Sequence, residues 1–277
     1  MSEPQIAMSN VCLRRSGKTI LDDVTWHMNR GEHWAVIGAN GSGKTTLLKI
    51  TGGTLFPTAG EVTVLGGRFG RCDLLLLRQR VGWVGPALLG RMPPGERLWD
   101  IVASGFRATF GLVYEISPAD AERVEASLER VGLGGRGDAP FGVLSQGEQQ
   151  RALFARSMLT SPELYILDEA CSGLDLPARE MFLGIADEVM AENRAGMIMV
   201  THHIEEISTG VTHALVLKAG RVLAAGPVGE TISAAVLSEA FGMRIAVKRR
   251  DGRFWARMES RERTDDPQRN TGRNTGT

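Results

Sequence analysis

The sequence predicts an α/β fold, a parallel sheet covered on both faces, and two observations carry that prediction. The first is Gly38-Ala39-Asn40-Gly41-Ser42-Gly43-Lys44-Thr45-Thr46, set between the apolar segment Trp34-Ala35-Val36-Ile37 and a helical pattern opening at Leu47-Leu48-Lys49-Ile50. Gly-x4-Gly-Lys-Thr at a strand-to-helix turn is the spacing of a phosphate-binding loop. The second is a set of short apolar runs, Leu164-Tyr165-Ile166-Leu167, Met197-Ile198-Met199-Val200 and Ala214-Leu215-Val216-Leu217, separated by helical segments. Continuous rather than alternating apolar residues suit strands buried on both faces.

Taken in order, residues 5 to 30 read as two antiparallel strands about a Gly17-Lys18 turn, with Val24-Thr25-Trp26-His27-Met28 in the second. Arg30-Gly31-Glu32 then turns the chain into the strand ahead of the glycine loop. There, glycine at 38, 41 and 43 lets the backbone approach an anion closely. The N–H groups of the loop and of the helix N-terminus are expected to face phosphate oxygens. Lys44 places its charge on the β- and γ-phosphates, and the Thr45 hydroxyl is a ligand for Mg²⁺. A nucleoside triphosphate with magnesium is the expected ligand. A glycine turn that merely joins a strand to a helix is the alternative, and both spacing and context weigh against it.

Gly52-Gly53 ends the helix, Pro57-Thr58-Ala59-Gly60 turns the chain, and Glu61 to Leu65 alternates like a short strand. Arg80-Val81-Gly82-Trp83-Val84 is the next core strand. From Pro86 to about Pro140 the composition changes, and Pro118 to Val131 has helical spacing with acidic residues in its first turn, so a helical insertion is expected. After it, Ser145 and Glu148 in Leu144-Ser145-Gln146-Gly147-Glu148-Gln149-Gln150-Arg151 are spaced as a capping box. Gly147 weakens the first turn of that helix and suggests a close approach to its backbone, while the capped N-terminus is a second anion site. The strand from Leu164 ends in Asp168-Glu169. In parallel sheets ligands sit beyond the carboxyl ends of strands. Asp168 is expected to hold Mg²⁺ through its water shell, and Glu169 to orient and deprotonate the attacking water. The plain alternative is a polar strand end opening into a loop.

Lys and Arg total 32, as do Asp and Glu, so no overall field draws the chain to nucleic acid or to an anionic bilayer. Cys12, Cys72 and Cys171 are too few and too far apart for a disulfide framework or zinc spacing. The start lacks a signal-peptide pattern, and apolar runs such as Leu74 to Leu77 are far too short to span a bilayer, so a soluble cytoplasmic chain is expected. The chain divides into a domain over 1–245 and a basic tail over 246–277. The stretch from Lys248 carries nine Lys or Arg against five acidic residues, and flexibility is expected there.

The stretch Leu-Ser-Gln-Gly-Glu-Gln-Gln-Arg, standing between a Gly-Lys-Thr loop and a strand ending in Asp-Glu, resembles the signature motif of the ATP-binding-cassette (ABC) ATPases. The resemblance covers residues 5 to about 245. It implies a P-loop NTPase (RecA-like) core with an antiparallel β subdomain and a helical subdomain, about 86–155, that carries the signature. Ser172-Gly173-Leu174-Asp175 resembles the family's D-loop, and Val200-Thr201-His202 its switch, with His202 touching the γ-phosphate and His203 the lesser candidate. The family's pattern implies two chains paired head to tail. Each ATP then lies between one chain's Walker A residues, 38–46, and the other chain's Ser145, Gln146, Gly147 and Glu148, with Asp175 beside them. Asp168 and Glu169 take the Walker B places.

The sequence departs from that pattern at Pro86, where a metal-contacting glutamine is usual, and Gln79 is a poor substitute for it. An adenine-stacking aromatic is also missing; Arg15 is the candidate to stack on the base, with a solvated arginine as the alternative, and Ala170 replaces a common proline. The resemblance implies an ATP-binding and ATP-hydrolysing subunit of a transporter, peripheral on the inner face of the cell membrane. Its partners are a second copy, an integral-membrane permease docking on the stretch Pro93 to Phe106, and a substrate-binding protein acting with that permease; no nucleic acid is expected. Size and insertion look most like bacterial importers of metal chelates or oxyanions, the molybdate type included. The alternative is a stand-alone soluble ABC ATPase with a regulatory or a nucleic-acid- or ribosome-linked role.

Overall fold

In the computed structural model, which describes residues 3–259, the chain opens with the antiparallel pair β1 (Ile6–Arg15) and β2 (Lys18–Met28), registered from Ile6 opposite Met28 to Arg15 opposite Lys18. Ser16 and Gly17 form the turn, one residue earlier than expected; both have positive φ, which matches the right-handed twist of the strands they join. β3 (His33–Ile37) leads through the glycine loop into α1 (Lys44–Thr51). Next come β4 (Ala59–Val64), β5 (Gly67–Arg68), α2 (Leu74–Gln79) and β6 (Val81–Val84). The run Leu74 to Leu77 is therefore helical, capped by the Asp73 carboxylate, with only Leu77 buried. The insertion holds α3 (Pro86–Leu89), α4 (Leu98–Ala103), α5 (Pro118–Arg130) and α6 (Gln146–Met158). The chain then runs through β7 (Leu164–Asp168), α7 (Leu176–Ala191), β8 (Gly196–Val200), β9 (His213–Lys218), β10 (Arg221–Pro227), α8 (Val228–Thr231) and α9 (Ala234–Phe241). It closes with β11 (Ile245–Arg250) and β12 (Arg253–Met258).

The main sheet has the order β10-β9-β3-β8-β7-β6, parallel throughout except for the antiparallel edge strand β10. Every residue of β3, β7 and β8 is buried, as continuous apolar runs require of strands covered on both faces. On one face Val36, Ile166 and Ile198 pack with Leu47 and Leu48 of α1 and with Met8, Trp26 and Met28 of the second sheet, ordered β2-β1-β4-β5. On the other face Ile37, Leu167 and Met199 pack with Phe154 of α6 and Phe182 of α7. Each such side chain contributes roughly 1.5–3 kcal/mol by its burial. The loop after β3 and the ends of β7 and β8 are thereby fixed at one edge of a rigid sheet.

One expectation needs correction. Residues 246–258, expected within an irregular tail, form the β11–β12 hairpin, paired from Ile245 opposite Met258 to Arg250 opposite Arg253. Its turn is Asp251-Gly252, both at positive φ, a strong hairpin dipeptide that the surrounding arginines mask in a composition-based reading. Phe254 anchors it to the core at 3% exposure. The rest of the expected tail, 260–277, lies outside the described residues. In the stretch Pro93 to Phe106, expected to meet a membrane partner, Leu98, Ile101, Val102 and Ala103 turn into the core against α5 and α6. Four apolar side chains are thus withdrawn from any docking face.

Candidate active site at the carboxyl ends of the sheet

The glycine loop is held from both sides. A Cβ on Gly38 would stand 2.4 Å from the Leu217 carbonyl oxygen, and one on Gly43, at φ 105°, would stand 2.7 Å from Leu21 Cδ2. Neither position has room for a side chain. Lys44 opens α1 at 5% exposure, and its Nζ donates to the carbonyl oxygens of Gly38 at 2.7 Å and Ala39 at 3.2 Å, so the ammonium lies within the curve of the loop. Burial pulls its pKa down, while Glu169 and Asp168 push it up. No side chain caps α1, and the Ser42 hydroxyl is buried without a partner in the loop. The exposed Asn40, Gly41 and Thr45, with the half-buried Ala39 and Thr46, form the rim.

β7 delivers Asp168 to the same edge, 7% exposed, and burial followed by repulsion from Glu169 pushes its carboxyl up to about 6 against the pull of Lys49 and Lys44. Glu169 lies in the left-handed backbone region at φ 51°, a conformation that costs a side-chain-bearing residue roughly 1–2 kcal/mol, and its N–H donates to the Val200 carbonyl at 3.0 Å. That tie fixes the end of β7 to the end of β8. His202 follows β8 with Nδ1 3.5 Å from Glu169 Oε1, at the limit of hydrogen-bond reach, and this buried nitrogen has no other polar partner. Thr201, 4% exposed, accepts from the His203 N–H at 2.9 Å and donates to the buried Glu206 carboxylate, which pins the turn that carries both histidines. Lys44, Asp168, Glu169 and His202 are brought together as their spacing suggests.

Magnesium fits this arrangement. Mg²⁺ commonly takes one or two carboxylates and fills its shell with water and substrate phosphates. Asp168 supplies a buried carboxylate whose charge is opposed by burial and by Glu169, a group that a divalent cation stabilises, and Thr45 supplies a hydroxyl on α1. Among the described residues no group of three His, Cys, Asp or Glu could hold a metal by protein ligands alone. A Cβ on Gly85 would stand 2.6 Å from the Asp168 carbonyl oxygen, so Pro86, the next residue, starts α3 beside Asp168. Gln79 ends α2 and lines a groove of about 390 Å³ that also reaches Asp168 and has Trp83, Leu88 and Phe110 in its walls.

The N-terminal turn of α6, expected as a second anion site, is built separately. Ser145 caps α6 by accepting from the Glu148 N–H at 3.3 Å, and Glu148 Oε2 accepts from the Ser145 N–H at 2.9 Å, completing the box. Gln146 Nε2 donates to the Ser172 carbonyl at 2.9 Å, and Asp175 caps α7 by accepting from the Ala178 N–H at 2.9 Å. A Cβ on Gly147 would stand 2.7 Å from Ala178 Cβ, so the close approach expected at Gly147 comes from α7 of the same chain. The signature turn and the segment at 172–175 are thus one unit, with no hydrogen bond to residues 38–46 among the described residues. Arg15 is exposed at the tip of the β1–β2 hairpin, which touches the loop through Ile20 and Leu21 at Gly43. Sequence reasoning overlooked Gly85 and the Thr201–Glu206 pair; the former needs the packed sheet, while Glu206 stands only five positions beyond Thr201 and was open to a local search.

A parallel sheet carrying a lysine-bearing glycine loop beside an Asp-Glu strand end defines a nucleotide-binding protein of the P-loop class. The model of the ABC transporter family matches residues 21–172, and the chain belongs to that family. It is 40% identical over 244 residues to YlmA, an uncharacterized ABC transporter ATP-binding protein of Bacillus subtilis (strain 168), covering 87% of this chain and 92% of YlmA. Similarity to the ABC transporter ATP-binding protein ModF of Escherichia coli (strain K12) is 31% identity over 217 residues, 77% of this chain but 44% of ModF. Among solved structures, CbiO1 of Clostridium perfringens, part of the ABC transporter complex CbiONQ, superposes with a TM-score of 0.74 at 24% identity over 86% of this chain and 94% of CbiO1. No helix among the described residues is long and apolar enough to cross a membrane.

Proposed function

We propose that the chain is the ATP-binding and ATP-hydrolysing subunit of a membrane transporter, working as a head-to-tail pair of copies on the inner face of the cell membrane. The observation that carries this reading is the convergence of Lys44, Asp168, Glu169 and His202 on one edge of the sheet, with the signature turn built as a separate unit. The first-turn N–H groups of α1 and the Lys44 ammonium bind the β- and γ-phosphates of ATP. Thr45 and Asp168 would hold Mg²⁺, which when bound neutralises charge on those phosphates. Glu169 accepts a proton from the attacking water, and the water's oxygen bonds to the γ-phosphorus as the bond to the β-phosphate oxygen breaks. His202, held by the Thr201–Glu206 anchor, orients the γ-phosphate and the Glu169 carboxylate. Ser145, Gln146, Gly147 and Glu148 of one copy close on the nucleotide held by the other, with Asp175 at the seam and Arg15 stacking on adenine.

With no membrane-crossing helix among the described residues, transport requires an integral-membrane permease. The groove between β6, α3 and α6 is the face offered to it, because Trp83, Leu88 and Phe110 present apolar surface there. Chain size and the helical insertion favour an importer of metal chelates or oxyanions, working with a substrate-binding protein. Isolating tagged Glu169→Gln protein with ATP from detergent-solubilised native membranes tests the reading. A polytopic protein in near-equal amount is the expected companion; recovery of soluble partners alone would replace the transporter with a stand-alone ATPase.

A further inference from the structure

The β11–β12 hairpin lies outside the catalytic edge, yet it grips two segments that lead from it. Arg253, at the start of β12, has a side chain only 21% exposed. Its Nη1 donates to the Glu180 carboxylate on α7, and its Nη2 donates to the Glu205 carbonyl oxygen at 2.5 Å. Glu205 follows His202 by three residues in the short helical turn Ile204–Glu206, and Glu180 lies in the helix that Asp175 caps. The same guanidinium therefore spans the switch segment and the helix behind the D-loop. Phe254, buried in the sheet-face core, and Gly252, whose Cβ would stand 3.2 Å from Thr209 Cγ2, fix the hairpin that carries it. The neighbouring Thr201–Glu206 bond holds the other side of the same turn.

We propose that Arg253 is a positioning residue for ATP hydrolysis, coupling the turn that carries His202 to the helix that begins at Asp175. The proposal rests on the reading that Glu169 and His202 act on ATP. A planar guanidinium can bond two acceptors at a fixed angle, so it sets the separation of those segments as well as their attraction. Without it, the turn after His202 keeps its chain connection, the Thr201 anchor and the Asp187 tie to α7 at Thr209 and Gly210, but loses its link to Glu180 near the start of α7. Nucleotide binding at the glycine loop, whose helix α1 packs on the opposite face of the sheet from α7, is left intact, while the chemical step suffers.

The test measures kcat and KM for ATP hydrolysis and thermal stability in the full-length chain. Arg253→Met is expected to lower kcat about tenfold, the scale of misplaced catalytic geometry, with KM within about twofold of wild type. Arg253→Lys is expected to recover a large part of that loss, since an ammonium still reaches one of the two acceptors. Glu180→Gln, which keeps an acceptor oxygen and folds without a vacancy, is expected to lower kcat by about twofold to threefold and serves if Arg253→Met does not fold. Unchanged kcat in the Arg253→Met or Glu180→Gln protein, or a loss spread over kcat, KM and melting temperature alike without rescue by lysine, overturns the proposal. Glu169→Gln run in parallel separates the two levels. Wild-type turnover in that variant overturns the site reading and this proposal with it, whereas lost turnover there beside an unaffected Arg253→Met overturns this proposal alone.

Discussion

The family resemblance assigns to the position of Pro86 a glutamine that would extend an amide toward the metal, and the packing of Gly85 on Asp168 puts that position next to Asp168. Proline at the first position of α3 donates no N–H, and a helix start does not need one, so glutamine is accommodated there at little cost. Pro86→Gln is expected to raise ATP turnover by about two- to fivefold while leaving ATP affinity nearly unchanged, because the added amide acts on metal and water placement rather than on the loop. Paired kcat and Kd measurements check it; equal or lower turnover would remove Pro86 from the metal's surroundings. Residues of this kind were the most legible in the sequence. Lys44, Asp168, Glu169 and His202 are set by the local spacing of loop, strand end and switch, and spacing is visible in one dimension. The left-handed backbone of Glu169 and the span of Arg253 were not, since both are decided by neighbours far along the chain.

At the scale of elements, α6 shows how a short motif fixes both a helix and its pH response. Burial pushes the Glu148 carboxyl up, but the Ser145 N–H, the Ser145 hydroxyl and the Arg136 guanidinium outweigh it, and the carboxyl is held below its usual value. A carboxyl depressed in the folded state adds stability above its unfolded value and loses that contribution as pH falls through the folded one. Ser145→Ala is therefore expected to cost about 1 kcal/mol near neutral pH, and the gap from wild type should shrink below about pH 4.5 as Glu148 protonates in both proteins. Urea unfolding at the two pH values decides this, and a gap that does not change with pH would show that Glu148 takes no part in the cap. The capping box was readable because Ser and Glu three apart suffice to specify it. The β11–β12 hairpin was hidden because arginines dominate its composition, although Asp251-Gly252 and the apolar Ile245, Val247 and Phe254 carry its pattern.

At the scale of the molecule, each chain carries one glycine loop and one signature turn, and the turn's polar contacts run to Ser172 and Arg136 rather than to the loop. The proposed two-fold pairing would give each loop a signature turn from the other copy and produce two equivalent sites. In the proposed pairing, ATP that bridges the copies binds the closed pair more tightly than the separate chains and shifts the population toward it, and hydrolysis removes the bridge. Glu169→Gln with saturating ATP is accordingly expected to sediment at twice the 30.0 kDa of the chain, where a persistent monomer would count against the sandwich. Arrangement as well as stoichiometry can be tested, because head-to-tail pairing separates the two halves of a site onto different chains. Lys44→Ala should be inactive through its loop, and Ser145→Arg through its signature turn. In a mixed dimer the Ser145→Arg chain's loop meets the Lys44→Ala chain's intact turn, so one site is whole and the other doubly defective. Half of a random mixture is mixed dimer with one working site of two, so activity should return toward about a quarter of wild type from two inactive proteins. If each chain instead built its site from its own loop and turn, no mixture could restore activity.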